Sequence, residues 1–434
     1  MTAADAGPLD LLVKEAASLE FEHIPDDVVE LARLCVLDVL GCCLAGASEP
    51  AAAILASVSD DDALRLGTAA HALDFDDWAP RSGAHPSTTI VPAILASLQR
   101  REDDCTGRDL IVAFVAGYEL QERIGIAISP SHYDIGFHTT GVIGAFGAAT
   151  ASALLLGADA TQLRTTLTIA ATEAAGLKSV FGSMAKPLNA GRAAQAGVLA
   201  AQLATAGFVG PASDGVFGPQ GFALTHASEV DLASVVVPFA SEWTLRSHLF
   251  KAYPSCFGTH AAILGAESLR TTHDLSPSDI ARIELTVPPI TLPVCAIPAP
   301  QTGLEGKFSL AYCTAIAFEG DVTTASFADP LPASAETSRL MQAVELHTDE
   351  GFGKTRAKVE VVLSDGGRLT SDSDAGVPGS VSRQALERKF RDLTSDAIRP
   401  RTADRLLSDL RRLDSLESTH DVRQLAMAGT GELA

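Results

Sequence analysis

The stretch 67–87, GTAAHALDFDDWAPRSGAHPS, sets two histidines and three aspartates into an otherwise Ala- and Leu-rich neighbourhood. The Ala/Leu run before Asp74 continues an apolar helix, and Pro80, Gly83 and Pro86 force a loop that returns His85 toward the carboxylates. Carboxylates and imidazole sharing a partly dry site have displaced pKa values, which permits acid–base chemistry near neutral pH. A solvated Asp cluster at a helix C-terminus with a capping His would explain each residue singly. The cluster as a whole points to a site. His71, three residues before Asp74, reads as a satisfied core histidine.

Around this stretch the chain reads as helices. Residues 8–21 (PLDLLVKEAASLEF) and 26–46 (DDVVELARLCVLDVLGCCLAG) form two, the second apolar on most faces and capped by Asp26 or Asp27. Further helices fall at 50–58, 89–99, 107–128 (with Glu119 and Arg123 at i,i+4 spacing) and 161–176, with another opening beyond His138. A loop carrying Lys178, Lys186 and Asn189 then leads into a long Ala-rich helix beginning near Arg192, its flanking Leu177, Val180, Phe181, Met184 and Leu188 read as buried. Cations at a helix N-terminus oppose the macrodipole, so their presence suggests an anion bound among them. Near residue 250 the texture changes: ARIELTVPP alternates like a strand, TRAKVEVVLSDGGRLTSDSD like a hairpin, and GKFSLAYCTAIAFEG between them reads as a buried helix. Helical patterning resumes after Pro378. The fold class is therefore mainly α: a large helical domain from residues 1–249 and 379–434, with a smaller α+β domain, 250–378, inserted. The last residues, AGTGELA, read as disordered.

Composition bounds the function. A formal charge of −22 argues against a nucleic-acid or anionic-membrane partner, and no apolar run reaches the length of a membrane span, so a cytoplasmic location is expected. The seven cysteines, at 35, 42, 43, 105, 256, 295 and 313, lie mostly in apolar runs and include no CxxC pair, which reads as reduced thiols without a zinc or iron–sulfur centre. A negative protein that binds negative substrates must concentrate its cations at the site. Of the eight lysines, Lys178, Lys186, Lys251 and Lys307 sit in Gly-, Pro- or aromatic-rich contexts.

HALDFDD followed by GAHPS resembles the signature of the MmgE/PrpD family, and FHTTGVIGAFGAA, SMAKPLNAGRAAQAG, FKAYPSCFGTHAA and GKFSLAYCTAIAFEG match the same family in order, together spanning residues 67–320. The resemblance implies a helical domain plus an α+β lid, a homodimer, and cofactor-independent, metal-free chemistry on a small polycarboxylate: 2-methylcitrate dehydratase-like loss of water, or cis-aconitate decarboxylase- or iminodisuccinate epimerase-like activity. It implies a cleft lined by Asp74, His85, His138, Lys186, Lys251 and Tyr312. In that reading Lys186, Lys251 and Arg192 hold substrate carboxylates and stabilise charge as it develops, and His138 or His85 moves the proton. Asp74 orients an imidazole and Tyr312 reaches in from the lid. Trp78 stands where family members often carry a smaller polar residue and Phe257 where some carry a basic one, so the pocket, with Trp78 against the substrate, is less polar. His260, Tyr253 and Phe257 read as core. Two rivals have less support. A Mg-dependent isoprenoid cyclase, suggested by DFDD, needs a second acidic motif and more aromatics than 5%. A silent binding protein would not need both Lys, both His, Asp74 and Tyr312.

Overall fold

The computed structural model describes residues 7–100 and 104–428; residues 429–434, in the tail read as disordered, lie outside it. Asp26–Gly46 is the central helix, buried along most of its length, because its apolar residues leave no polar face to turn outward. It packs on Asp62–Ala72 and Arg383–Thr394. Asp26 and Asp27 occupy its first turn and do not cap it, since Pro25 is the N-cap. Gly107–Ile128 runs over the range read from sequence, and its Glu119 and Arg123 form a buried ion pair. Glu119 also accepts from the Thr244 and Leu245 backbone N–H groups at 3.0 Å.

The helix Ala185–Thr205 packs tightly against both Asp62–Ala72 and Thr139–Leu155, and the three carry site residues at or beside their ends. The last begins at Ala185, two turns before the Arg192 expected from sequence. Pro187 reads as a breaker, but in the first helical turn its missing N–H has no intrahelical partner to lose. Lys186 is therefore fixed on a helix. The residues around it are less buried than expected, with Leu177, Met184 and Leu188 all exposed. Helix crossing depends on bare backbone: a Cβ on Gly67 would lie 2.8 Å from the Gly191 Cα, and one on Gly191 would collide with the Leu64 carbonyl and Thr68.

A second hydrophobic core gathers around a four-stranded sheet, β1 (Ile280–Val287), β2 (Val344–Thr348), β3 (Arg356–Leu363) and β4 (Arg368–Asp374), in the order β2-β1-β3-β4. β1 is parallel to β2 and antiparallel to β3, and β3 and β4 form the hairpin read from SDGGR. Ile283, Leu285, Val359 and Val361 share a core with the helix Phe257–His273, on which Leu310–Glu319 packs in turn. β2, VELHT, was not expected. It is a short edge strand with three of its five residues exposed, so it lacks the apolar alternation that marks a strand. After the sheet the chain returns to the first core through Arg383–Thr394 and Pro400–Arg411, which contribute Leu386, Phe390, Leu406 and Leu410. No helix among the described residues is long and apolar enough to cross a membrane.

Replacing Gly191 with Val should lower stability by about 1–3 kcal/mol, the usual scale for overpacking. A urea midpoint shifted down with an unchanged slope checks this.

Candidate active site

The helix Asp62–Ala72 ends in a tight loop, and lysines from remote parts of the chain close it. Lys307 Nζ donates to the Leu73 carbonyl at 2.7 Å, Lys251 Nζ to the Asp74 carbonyl at 2.8 Å, and Lys389 Nζ to the Phe75 carbonyl at 2.5 Å. Three consecutive carbonyls beyond a helix C-terminus thus receive three cations, the charge that end of the dipole favours. Asp74 itself has φ +52°, the left-handed region that Asp tolerates better than most residues.

This backbone divides the carboxylates between two sets of partners. Asp74 Oδ1 accepts from Lys251 at 2.5 Å and Lys186 at 2.8 Å. Burial alone would raise its pKa, but the two ammonium groups outweigh burial and hold the carboxyl well below its usual range. Asp76 Oδ2 accepts from His71 Nδ1 at 2.7 Å and lies 3.3 Å from His85 Nδ1. Asp77 receives the Ser87 N–H at 3.3 Å and faces His248 Nε2, also at 3.3 Å; burial pushes its pKa well up. His248 in turn contacts Cys35 (3.3 Å) and the Tyr118 hydroxyl (3.1 Å), a buried polar layer beneath the loop.

The imidazoles are neutral, and their neighbours fix their tautomers. Burial lowers His71 to about 4 against the pull of Asp76, also lowers His85, and with Lys186 nearby holds His138 well below the usual imidazole range. His85 Nδ1 lies 2.5 Å from the Asp77 carbonyl, which can only accept, so the proton is on Nδ1 and Nε2 keeps its lone pair. His138 Nδ1 lies 3.1 Å from the Asn189 side-chain amide nitrogen, which donates, so the proton is on Nε2. One imidazole is set to accept a proton and the other to give one.

Both line a cavity of about 110 Å³ with Lys186, Trp78, Phe181 and Phe308. Trp78 stacks on Phe257 at 4.6 Å, making one wall aromatic. The buried ligand-type atoms of His71, Asp74, Asp76 and His85 all lie within 4.8 Å of one another, the spacing of a metal site. Their chemistry opposes one: Asp74 Oδ1 is shared by two ammonium groups, both Nδ1 atoms carry protons donated to oxygen, and the lysines repel a cation. The set suits a proton and an anion.

The structure brings together Asp74, His85, His138, Lys186, Lys251 and Trp78. Two residues expected there stand elsewhere. The Tyr312 hydroxyl is held by the Ser326 carbonyl at 2.6 Å and the Pro332 carbonyl at 3.1 Å, within the second core. Arg192 is exposed and bonds Gln195 one turn along, because starting the helix at Ala185 rotates it to the outer face. Asp74 was expected to orient an imidazole; Asp76 does so, and Asp74 is the counter-ion of the lysines. His71, read as a core residue, is buried but belongs to the cluster, its ring 4.7 Å from that of His85 and 5.8 Å from that of His138. Its spacing to Asp76 on a turn just past a helix end was the signal. Lys389 was hidden in an ordinary amphipathic helix and gave none.

Asp74→Ala should cost about 3–5 kcal/mol, the scale for leaving buried charges uncompensated, read as a fall in denaturant midpoint. A second test uses pH. His71 titrates near 4 when folded and 6.5 when unfolded, so the unfolded chain binds the extra proton between those values. Stability should be intact above pH 6.5 and fall toward pH 4, His71 contributing about 3 kcal/mol of the loss, and His71→Gln should make that limb shallower by about that amount.

Residues 58–233 match the MmgE/PrpD N-terminal domain and residues 253–413 the MmgE/PrpD C-terminal domain. Among curated proteins the chain is similar to the cis-aconitate decarboxylase of Homo sapiens, at 28% identity over 92% of this chain and 90% of that one. The Mus musculus cis-aconitate decarboxylase is 29% identical over 81% of this chain and 75% of its own length. That of Aspergillus terreus is 26% identical over 95% of each. With both domain signatures matched in order across most of its length, this chain belongs to the MmgE/PrpD family.

Proposed function

We propose that the protein is a cofactor-independent lyase that decarboxylates a small unsaturated polycarboxylate of the cis-aconitate type. The observation that carries this reading is the pair of neutral imidazoles with opposite tautomers facing a cavity beside the Lys186–Asp74–Lys251 group. A substrate carboxylate takes over part of the ammonium hydrogen bonding that Asp74 uses at rest, through Lys186, which lines the cavity. The carboxylate to be lost lies against Trp78, Phe257, Phe181 and Phe308, where poor solvation disfavours its charge. As CO2 leaves, the electron pair spreads over the remaining unsaturated acid, whose developing charge the lysines stabilise. His138 Nε2–H supplies the proton to carbon, and the imidazole takes another from solvent as the product leaves. The names of the similar proteins from human, mouse and Aspergillus terreus favour decarboxylation.

Dehydration of a 2-methylcitrate-like acid is the second reading, favoured by the free lone pair on His85 Nε2. That atom is placed to remove a proton α to a carboxylate. We further infer a homodimer. Met184, Leu188 and Leu199 lie on one face of Ala185–Thr205 and are 43%, 36% and 45% exposed, a stripe that a second copy would cover. Light scattering at micromolar concentration should give twice the monomer mass, and a monomer would overturn this.

Proton NMR in D2O with EDTA, following cis-aconitate and 2-methylcitrate in parallel, separates the two reactions. CO2 release with deuterium at the new C–H position is expected, whereas loss of water from 2-methylcitrate alone would favour the second reading. His138→Ala and Lys186→Ala should each lower turnover by about 10²–10⁴-fold. Because burial lowers both imidazoles, the rate should hold level as pH falls to 6.5 and decline only below it.

A further inference from the structure

Two cysteines that the proposed chemistry does not use lie in the wall of the same cavity. Cys256 is half-buried and is the N-cap of the 17-residue helix Phe257–His273; Cys295 closes the short helix Leu292–Cys295. Both line the cavity, together with Ile290, Thr291 and Val294. Three backbone and packing observations put the thiols side by side. A Cβ on Gly258, in the first turn of the longer helix, would lie 3.1 Å from Cys295 Sγ. The Cys256 N–H donates to the Lys307 carbonyl at 3.0 Å, and Ala296, next to Cys295, bridges to Ser309, so one short segment holds the backbone at both cysteines.

We propose that Cys256 and Cys295 are a reversible dithiol–disulfide pair, oxidised by a hydroperoxide small enough to enter the cavity. The reaction goes beyond the lyase reading and does not depend on which acid the cavity takes. Cys256 is the attacking sulfur. The Cys295 thiol, Lys186 and Lys251 nearby, and the open end of a helix favour its thiolate against burial and hold its pKa below the usual thiol value. Its sulfur attacks one peroxide oxygen; the S–O bond forms, the O–O bond breaks, and water or an alcohol leaves. Cys295 sulfur then attacks the sulfenic sulfur, forming S–S as the S–O bond breaks and water leaves. Two sulfurs each give one electron, and the peroxide takes both. The product bonds the start of the Phe257–His273 helix to the Leu292–Cys295 turn across the cavity wall, and a thiol reductant restores the pair.

The test treats the full chain with hydrogen peroxide and counts thiols after denaturation. The count should fall from seven to five, the intact mass should fall by about 2 Da, and a peptide map should join Cys256 to Cys295. A phosphine reductant should reverse all three. Cys295→Ser should give no cross-link and should leave a sulfenic acid on Cys256 that dimedone traps, while Cys313→Ser, altering a nearby buried thiol, should cross-link as the unmodified chain does. The proposal is overturned if all seven thiols survive, if the map joins any other pair, or if Cys313→Ser abolishes the cross-link and Cys295→Ser does not.

Discussion

Three lysine ammonium groups hydrogen-bonded to three consecutive carbonyls hold the site together. Leu73, Asp74 and Phe75 are bound by Lys307, Lys251 and Lys389, residues that come from the sheet-bearing part of the chain, the entry to it, and the returning C-terminal helix. A loop with unpaired buried carbonyls would be costly. Here those carbonyls recruit cations that would themselves be costly to bury alone, and each requirement meets the other. Lys389 adds an ion pair to Asp38 at 2.7 Å, tying the loop to the central helix. Lys307, which pairs with no carboxylate among the described residues, is pushed down by burial to about 8. The first core, the second core and the C-terminal return all therefore meet on one loop.

That arrangement accounts for the charge distribution. A chain of net charge −22 repels an anionic substrate at long range, yet it gathers four of its eight lysines around one loop. Asp74 makes the gathering stable at rest. The anion anticipated among the cations at the N-terminus of the helix carrying Lys186 is, in the resting protein, this carboxylate of the chain itself. It keeps Lys186 and Lys251 paired and in position.

The sequence carried much of this, and where it did not the reason is physical. Gly107–Ile128 and Asp26–Gly46 were legible because their apolar periodicity and polar flanks agree, and the β3–β4 hairpin because alternation and a Gly-rich turn coincide. β2 was not, since a short exposed edge strand has no inward face to write into the pattern. Lys186 was picked out by its neighbours, yet the helix carrying it was placed too late because Pro187 reads alike in a loop and in a first turn. The clustering of HALDFDD with His85 was visible, but its internal pairing was not: which Asp serves the lysines and which the imidazoles depends on one backbone angle at Asp74. Tyr312 shows the opposite error, a residue read as reaching the site whose hydroxyl is spent on two carbonyls of its own core.

That angle also explains why the two imidazoles differ. A left-handed residue at Asp74 turns the chain sharply enough that Asp74 faces the lysines while Asp76 faces His71 and His85. The same turn brings the Asp77 carbonyl to His85 Nδ1 and fixes its proton there. His138 sits at the start of a different helix and takes its hydrogen bond from Asn189, which shares a helix with Lys186. The proton acceptor is thus set by the loop and the donor by the helix that supplies the cation. Moving either element would change a tautomer before it changed a distance to substrate, which makes the backbone around Asp74 as much a part of the chemistry as the side chains it presents.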